Sequence, residues 1–255
     1  VTHVVISTCT GFFAPGPDLL LLRRLGLPTT TQRTVLGFMG CYAGISGMRT
    51  ARQITQGDPA AVVLQIAVEL CSLHYQTTPT VETVVSNAIF SDGAAAAIYG
   101  GAAAGRDGGN RPVAEVVATL SDISPDSLDR MSWRIGDHGF IMTLDSGVPD
   151  ILKEHAPRFT AELADAAGLG RTDISGWAIH PGGRKIIEAL RDSLGLNDDD
   201  VASSTGVLRD YGNMSSGTVL FVLADELKRR SRGEHIAAMA FGPGLTMEGA
   251  LLRRV

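Results

Sequence analysis

The sequence predicts an α/β protein whose sheets are largely buried. Short apolar runs rich in Val and Ile recur along the chain, and most are followed by a segment with the apolar spacing of an amphipathic helix. Strands that alternate with helices in this way are typical of sheets covered by helices. With 255 residues, 44% of them hydrophobic, the chain can bury a substantial core as one large domain or two tightly joined halves.

The first half is predicted to begin with a buried, β-branched strand at residues 1–7. Turn residues 11–17 follow, and Asp18 is placed to cap a helix over residues 19–25. The remaining elements of this half are predicted as a strand at 34–38, a helix at 45–53, and strands at 61–68 and 93–99.

A glycine-rich segment at residues 100–110 marks a surface loop or a boundary, and two related halves are predicted at 1–105 and 106–255. A long helix predicted at 151–167 contains Pro157, which either kinks the helix or delays its start. The other elements predicted in this half are strands at 113–120, 177–179, 235–240 and 245–252, and helices at 185–194 and 215–230.

Charge and composition exclude several classes of protein. A net charge of -5 without long runs of like charge offers no basic surface to nucleic acid. The apolar run at residues 19–22 is far shorter than the ~20 residues that span a bilayer, and no signal-peptide cleavage site follows it. The three cysteines, Cys9, Cys41 and Cys71, show no metal-ligand spacing, so free thiols in a reducing cytoplasm are expected.

Cys41 is the candidate nucleophile. It lies between a predicted strand and a predicted helix, and Gly40 and Gly44 permit the tight turn that presents a nucleophile at such a junction. A helix N-terminus favours the thiolate, so the pattern predicts a lowered pKa for the Cys41 thiol. A buried structural cysteine is the alternative interpretation.

His180 is the candidate acid–base residue. It ends a predicted strand, and Pro181, Gly182 and Gly183 after it let the backbone pass close to a ligand. A structural histidine with satisfied hydrogen bonds is the alternative. His74 follows a strand expected to line the same cleft, whereas no comparable setting surrounds the remaining histidines, His3, His138, His155 and His235.

Asn213 precedes a strongly predicted helix and is either a helix cap or an amide donor to a developing oxyanion. Cys41, His180 and Asn213, each at a strand–helix junction, together suit covalent acyl transfer. In this interpretation a protonated His180 stabilises the Cys41 thiolate, and His180 and Asn213 then hold a thioester oxygen. No metal or organic cofactor is required.

Several motifs resemble the type III polyketide synthases, the chalcone synthase group. They occur in the family's order and cover essentially the whole chain. The motifs are Gly-Phe-Met-Gly-Cys-Tyr-Ala-Gly at 37–44, Phe-Ser-Asp-Gly-Ala at 90–94, Trp-Ala-Ile-His-Pro-Gly-Gly at 177–183, Tyr-Gly-Asn-Met-Ser-Ser at 211–216 and Phe-Gly-Pro-Gly-Leu at 241–245.

The resemblance implies a thiolase-like fold of two related α/β halves with buried mixed sheets, the first half incomplete. It further implies a cytoplasmic homodimer that loads an acyl group from a coenzyme A thioester onto Cys41. Malonyl units would extend this group by decarboxylative Claisen condensation before the polyketide cyclises. The phrases at 69–74 and 133–140 are similar to bacterial enzymes, which suggests an alkylresorcinol, alkylpyrone or tetrahydroxynaphthalene type of product.

The resemblance also assigns positions of a substrate pocket. Phe90 matches one of the family's two gatekeeping phenylalanines, whereas the other gatekeeping position is Met142. Trp133 replaces a smaller residue of the family, so the pocket is expected to be narrower on that side. The full set of implied pocket residues is Cys9, Cys71, His74, Phe90, Trp133, Met142, Ser215, Gly182 and Gly183.

Two features depart from the family pattern. The chain opens at Val1 inside a strand, which suggests a fragment, and it lacks the family's N-terminal segment with basic residues for the coenzyme A phosphates. Arg184 and Lys185, near a helix N-terminus beside His180, either help to hold phosphate or are solvated helix charges.

Three other functions stay open at this point. A ketoacyl synthase III-like enzyme would share the same triad but perform a single condensation in fatty acid synthesis. A papain-type hydrolase also uses Cys, His and Asn, although the strand–helix pattern argues against it. An inactive, truncated subunit that serves as a dimer partner is the non-enzymatic alternative.

Overall fold

The computed structural model describes residues 1–104, 111–125 and 127–255. Over these ranges the chain forms mixed sheets covered by helices, as predicted. The strands are β1 (His3–Thr8), β2 (Gln32–Gly37), β3 (Val62–Glu69), β4 (Gly93–Gly100), β5 (Ala114–Ile123), β6 (Met131–Gly136), β7 (Gly139–Leu144), β8 (Ile174–Ile179), β9 (His235–Gly242) and β10 (Thr246–Arg254). The helices are α1 (Pro17–Arg24), α2 (Ala43–Gly57), α3 (Val81–Ile89), α4 (Val148–Asp165), α5 (Arg184–Leu194), α6 (Ala202–Tyr211) and α7 (Thr218–Arg229).

The strands are arranged in two four-stranded sheets and a hairpin. In the first sheet, of order β2-β1-β3-β4, β1 runs parallel to both neighbours and β4 is antiparallel to β3. In the second, of order β5-β10-β9-β8, β8 and β9 are parallel and β10 is antiparallel to both its neighbours. Strands β6 and β7 form the hairpin.

Helices α2 and α7 lie against each other between the two large sheets. Helix α2 contacts β1 and β3 on one side and β9 and β10 on the other, while α7 contacts β4, β8 and β9. Their buried side chains, including Ile45, Met48, Val219 and Val222, belong to one apolar cluster. Because α2 follows Cys41 and α7 follows Asn213 in the chain, the packing of these helices sets the relative position of the two residues.

Close contact at Gly44 joins the start of α2 to the segment before α7. A Cβ atom added at Gly44 would lie 2.3 Å from the backbone oxygen of Ser216. We therefore expect Gly44→Ala to lower the free energy of unfolding by about 1–3 kcal/mol, because backbone atoms must shift. Urea denaturation measures this change.

Gly57→Ala is the matched control in the same helix, since nothing lies within 4 Å of a Cβ at Gly57. Alanine there is expected to leave stability unchanged or to raise it slightly. Equal destabilisation by the two substitutions would contradict the packing argument.

Most predicted strands and helices are found with small shifts of their ends, but some elements were missed. The sequence analysis did not identify α3, α6 or the β6–β7 hairpin. Helix α4 begins before its predicted start and runs through Pro157. The segment at 100–110 begins at the last residue of β4, and residues 105–110, with the predicted boundary of the halves, lie outside the described residues.

Two predicted helix starts were wrong in detail. Asp18 does not cap α1: the cap position is Gly16, and Asp18 lies in the first turn, where its carboxylate pairs with Arg33 at 2.9 Å. The helix predicted from Ser215 opens as a short 3₁₀ helix, Ser215–Gly217, before α7. Ser215 has a φ of 46°, outside the helical region, so a regular helix cannot include it.

No helix within the described ranges is both long and apolar enough to cross a membrane.

Candidate active site

One cavity of about 1150 Å³ gathers all the candidate site residues. Its walls come from the β6–β7 hairpin, α3, the first turns of α4 and α5, and the loops around Cys41 and Asn213. The twelve predicted site residues that line it are Cys9, Cys41, Cys71, His74, Phe90, Trp133, Met142, His180, Gly182, Gly183, Asn213 and Ser215.

Cys41 lies at a sharp turn between β2 and α2, as the sequence predicts. The strand ends at Gly37, and Phe38 and Gly40 both have positive φ, 61° and 86°. Glycine is required at position 40 for a second reason, because a Cβ there would lie 2.4 Å from Cδ of Pro243. The turn directs Cys41 into the cavity, where only 7% of the residue is exposed.

The predicted lowering of the Cys41 pKa was wrong for the free protein. Burial, with a smaller contribution from the charge of Glu69, raises the pKa of the Cys41 thiol to about 12. Interactions with the side chains of Ser215 and Asn213 lower the pKa but do not offset the burial. A thiol removed from water therefore stays protonated despite its position before a helix.

His180 follows the last residue of β8, and its backbone N–H donates to the Met239 carbonyl at 2.7 Å. Its ring is buried, and within the described part of the chain neither Nδ1 nor Nε2 has a hydrogen-bond partner. This does not fit a structural histidine, because buried polar atoms are normally satisfied. The two nitrogens are available to a ligand in the cavity.

Burial also lowers the pKa of His180 to about 3. The imidazole is therefore neutral in the free protein, and the predicted resting pair of protonated His180 and Cys41 thiolate was wrong. A neutral imidazole can accept the Cys41 proton when a substrate arrives, and it can donate its one N–H to a substrate oxygen.

The depressed pKa of His180 makes stability depend on pH. Below pH 6.5 the unfolded chain takes up a proton at His180 that the folded protein does not, so stability falls as the pH falls from 6.5 towards about 3. We expect this loss to reach on the order of a few kcal/mol. Denaturant unfolding of wild type and His180→Gln between pH 7 and pH 4 measures it, and the variant should show a shallower pH dependence.

His138→Gln is the control for that measurement, because His138 is exposed and lies outside the cavity. The same slope in all three proteins would show that His180 does not set it.

The amide of Asn213 is oriented by its own helix start. Its Oδ1 accepts hydrogen bonds from the Ser215 backbone N–H at 2.9 Å and from Oγ1 of Thr218 at 3.3 Å. The amide nitrogen is the end left for the cavity, where it lies 3.4 Å from the carbonyl oxygen of Gly182. Asn213 is not the cap residue, which is Met214 for the 3₁₀ helix and Gly217 for α7. Its oxygen accepts the first backbone N–H of that 3₁₀ helix, and its amide nitrogen, which donates to Gly182, lies in the wall of the cavity.

Aromatic side chains form one wall of the cavity. Nε1–H of Trp133 donates to the Cys9 carbonyl at 2.8 Å, which fixes the indole. Nδ1 of His74 accepts the backbone N–H of Phe140 at 3.1 Å, so Nε2 carries the hydrogen that is donated to the Thr10 carbonyl at 2.7 Å. The His74 ring stacks on Phe140 with ring centres 4.1 Å apart.

The sequence analysis missed several residues that line the same cavity: Met131, Phe140, Leu152, Phe241 and Pro243. Phe140 could have been found from the alternation of a strand. It lies two positions before Met142 in β7, and residues two apart on a strand point to the same face. Because the hairpin was not predicted, the alternation along β7 was not used to identify Phe140.

The cavity brings together a nucleophilic thiol, an unpaired imidazole and an amide donor against largely apolar walls. This arrangement can accept an acyl group on sulfur and stabilise negative charge on a nearby oxygen. Within the described ranges no cluster of His, Cys, Asp and Glu could hold a metal ion.

Comparison with known proteins gives consistent matches over the whole chain. Residues 1–103 match the family model "Chalcone and stilbene synthases, N-terminal domain", and residues 115–255 match the corresponding C-terminal domain. The chain is 36% identical to 3,5-dihydroxyphenylacetyl-CoA synthase of Amycolatopsis balhimycina, covering 98% of this chain and 67% of the relative. It is also 36% identical to 1,3,6,8-tetrahydroxynaphthalene synthase of Streptomyces peucetius subsp. caesius, covering 98% of this chain and 66% of the relative.

Among solved structures, the C-terminal type III polyketide synthase domain of Steely1 from Dictyostelium superposes with a TM-score of 0.93 at 33% identity. The match covers 100% of this chain and 71% of that domain. This likeness confirms the thiolase-like α/β fold. The chain spans about two thirds of the length of the two bacterial relatives.

Proposed function

Because the chain belongs to the chalcone and stilbene synthase family, the type III polyketide synthases, we propose that its protein joins an acyl-coenzyme A starter to malonyl-coenzyme A. The reaction is a decarboxylative Claisen condensation on a Cys41 thioester, followed by cyclisation. The observation that supports this best is His180, whose two buried ring nitrogens have no partner in the described chain and whose cavity also holds Cys41 and Asn213.

The residues have distinct roles in the proposed reaction. As the acyl thioester enters, His180 takes the Cys41 proton and the sulfur attacks the carbonyl carbon. The bond to the coenzyme A sulfur then breaks, and His180 returns the proton to that leaving sulfur. A malonyl thioester then loses carbon dioxide, and N–H groups of His180 and Asn213 hold the resulting enolate oxygen. The enolate carbon attacks the Cys41 acyl group, which leaves the lengthened product and frees the sulfur.

No resident metal or organic cofactor takes part in this proposal, since the thioesters supply both the acyl group and the carbanion. An alkylresorcinol, alkylpyrone or tetrahydroxynaphthalene type of product is proposed. Relatives named 1,3,6,8-tetrahydroxynaphthalene synthase and alpha-pyrone synthesis polyketide synthase-like Pks18 support the second and third of these classes. A ketoacyl synthase III-like enzyme would stop after one condensation, so product length separates the two functions. The family match leaves the papain-type hydrolase without support.

Intact mass spectrometry of the complete protein tests the proposal. A panel of acyl-coenzyme A thioesters is added with and without malonyl-coenzyme A, and peptide mapping locates any adduct. An acyl mass on Cys41 that is released as extended product with malonyl-coenzyme A is the expected result. A folded protein that takes up no acyl group would instead favour an inactive subunit.

Arg184 and Lys185 are proposed to help hold the phosphates of coenzyme A. Both line the cavity, are exposed, and begin α5, whose N-terminus favours anions. Arg184 also pairs with Glu188 at 2.7 Å, so Lys185 is the freer cation. We expect Lys185→Glu to raise KM for malonyl-coenzyme A severalfold with little change in kcat.

Lys153→Glu, a charge reversal on α4 outside the cavity, is the control for Lys185. Equal KM values in the two variants would contradict a phosphate role. A lower salt concentration should enlarge the difference in KM between the two variants, because salt screens interactions between surface charges.

A homodimer is proposed as the assembly. Phe12 and Phe13 are adjacent and exposed at 62% and 59%, which is unusual for aromatic side chains unless a partner covers them. Size-exclusion chromatography with light scattering on the complete protein tests this, and a monomer at micromolar concentration would contradict it. The three free thiols are consistent with a cytoplasmic enzyme.

A further inference from the structure

Glu69 is a buried carboxylate at the end of β3 that the proposed mechanism does not use. It is 0% exposed, and no Lys or Arg forms an ion pair with it in the part of the chain that the structure describes. An unpaired buried charge is strongly unfavourable unless hydrogen bonds satisfy it. Such a group calls for a functional reason.

The hydrogen bonds around Glu69 show that both of its oxygens accept. Oε2 accepts the Cys9 backbone N–H at 2.9 Å and the Thr10 hydroxyl at 2.8 Å. The Thr10 oxygen itself accepts the Leu70 N–H at 2.8 Å, so its own hydrogen is directed to Glu69. Oε1 accepts the Ser216 hydroxyl. Burial raises the pKa of Glu69, and these hydrogen bonds oppose the rise because they favour its ionised form.

One arm of this network reaches the nucleophile. Glu69 holds the backbone of Cys9, and Sγ of Cys9 in turn accepts the backbone N–H of Gly40 at 2.9 Å. Gly40 directly precedes Cys41 and has the positive φ that makes the turn possible. The position of the Cys41 backbone is therefore linked to Glu69 through Cys9 and Gly40.

The other arm reaches the amide donor. Ser216 follows Ser215, whose φ of 46° is a conformation that non-glycine residues rarely adopt. The backbone N–H of Ser215 holds Oδ1 of Asn213, which directs the amide nitrogen to the cavity. A carboxylate that accepts the Ser216 hydroxyl helps to keep this unfavourable segment in place.

We propose that Glu69 is a positioning residue of the condensing site, whose buried carboxylate anchors both the turn that presents Cys41 and the segment that orients Asn213. The inference rests on the proposed condensation. It adds a residue that touches no substrate and acts through Cys9 on one side and Ser216 on the other.

The charge of Glu69 provides a readout that a merely structural residue would not give. The titratable groups that interact with it are three thiols. They belong to Cys9 just after β1, Cys41 in the turn before α2 and Cys71 in the 3₁₀ helix Cys71–His74. Burial is the main cause of the raised pKa of each thiol, and Glu69 raises each further. Loss of the carboxylate charge should therefore lower the pKa of the Cys41 thiol.

The test compares wild type, Glu69→Gln and Glu69→Asp in the complete protein. One measurement is the rate of malonyl-coenzyme A decarboxylation, resolved into kcat and KM. The other is the pH dependence of Cys41 alkylation by iodoacetamide, followed by peptide mapping. We expect Glu69→Gln to lower kcat on the order of 10- to 100-fold with little change in KM, because small displacements of catalytic groups are costly to the rate.

In Glu69→Gln, Cys41 should be alkylated by iodoacetamide at a lower pH than in wild type. Glu69→Asp keeps the charge, so its alkylation profile should return to that of wild type while kcat recovers in part. Ser216→Ala removes one arm and leaves the charge, so it should lower kcat without moving the profile. This variant also tests the proposal if Glu69→Gln fails to fold.

Glu226→Gln is the matched control, since Glu226 is equally buried but lies outside the cavity and holds Ser203 and Arg230. It should leave kcat and the alkylation profile as in wild type. A folded Glu69→Gln protein with wild-type kcat and profile would overturn the proposal. A wild-type protein that decarboxylates nothing would defeat the proposed function instead, while an alkylation shift would still show that Glu69 acts on Cys41.

Discussion

Cys41→Ala is expected to abolish acyl loading and to lower the rate of condensation on the order of 10⁴-fold or more. The sulfur of Cys41 is the atom on which the acyl group is carried, and alanine offers no replacement nucleophile. Intact mass after incubation with the preferred acyl-coenzyme A measures the loading, and product release with malonyl-coenzyme A measures the condensation.

The other thiols of the cavity provide the control. Cys71→Ala should still carry the acyl adduct on Cys41, because Cys71 lies in a separate turn after β3. An adduct that persists in Cys41→Ala and maps to Cys71 or Cys9 would show that the nucleophile has been misassigned.

Asn213→Ala should lower malonyl-coenzyme A decarboxylation on the order of 10²-fold or more, since it removes a fixed donor to the enolate oxygen. Acyl loading on Cys41 should be affected much less, because the thiol and His180 remain. The contrast between the two partial reactions distinguishes a lost donor from general unfolding.

Asn87→Ala is the matched control for that substitution. Asn87 also lines the cavity, but its amide is engaged with the backbone of Gln76 on both sides, at 2.8 and 3.3 Å. It should therefore leave the ratio of decarboxylation to loading unchanged. If both variants lose decarboxylation equally, Asn213 has no special role as a donor.

The elements that the sequence predicted well have strong local signals. The strand before Cys41 and the helix after it follow from a β-branched run, two glycines and an amphipathic segment, and the structure has both. The β6–β7 hairpin and α3 were not predicted, although α3 carries apolar residues at 81, 84, 85, 88 and 89, the spacing of an amphipathic helix. None of these residues is buried in the structure, so the apolar face of α3 does not pack into a core.

The protonation states could not be read from the sequence. A thiol before a helix was predicted to have a lowered pKa, and a histidine beside it to be protonated. Burial reverses both, raising the pKa of Cys41 to about 12 and lowering that of His180 to about 3. Desolvation depends on what surrounds a side chain from every direction, and most of those neighbours are distant in the sequence.

The sequence by itself indicated the fold class and the candidates Cys41, His180 and Asn213, because motifs and apolar periodicity are local properties of the chain. The family resemblance carried by those motifs added the other predicted pocket residues, all of which line the cavity. Only the tertiary structure decided how those residues are held. Glu69 lies 147 positions from Ser216 and 60 from Cys9. The pairing of β1 with β3 brings Cys9 to Glu69, and the packing of the segment before α7 on β3 brings Ser216 to it. Hydrogen bonds over such separations leave no pattern in a single sequence, since neither partner's immediate neighbours reveal the other.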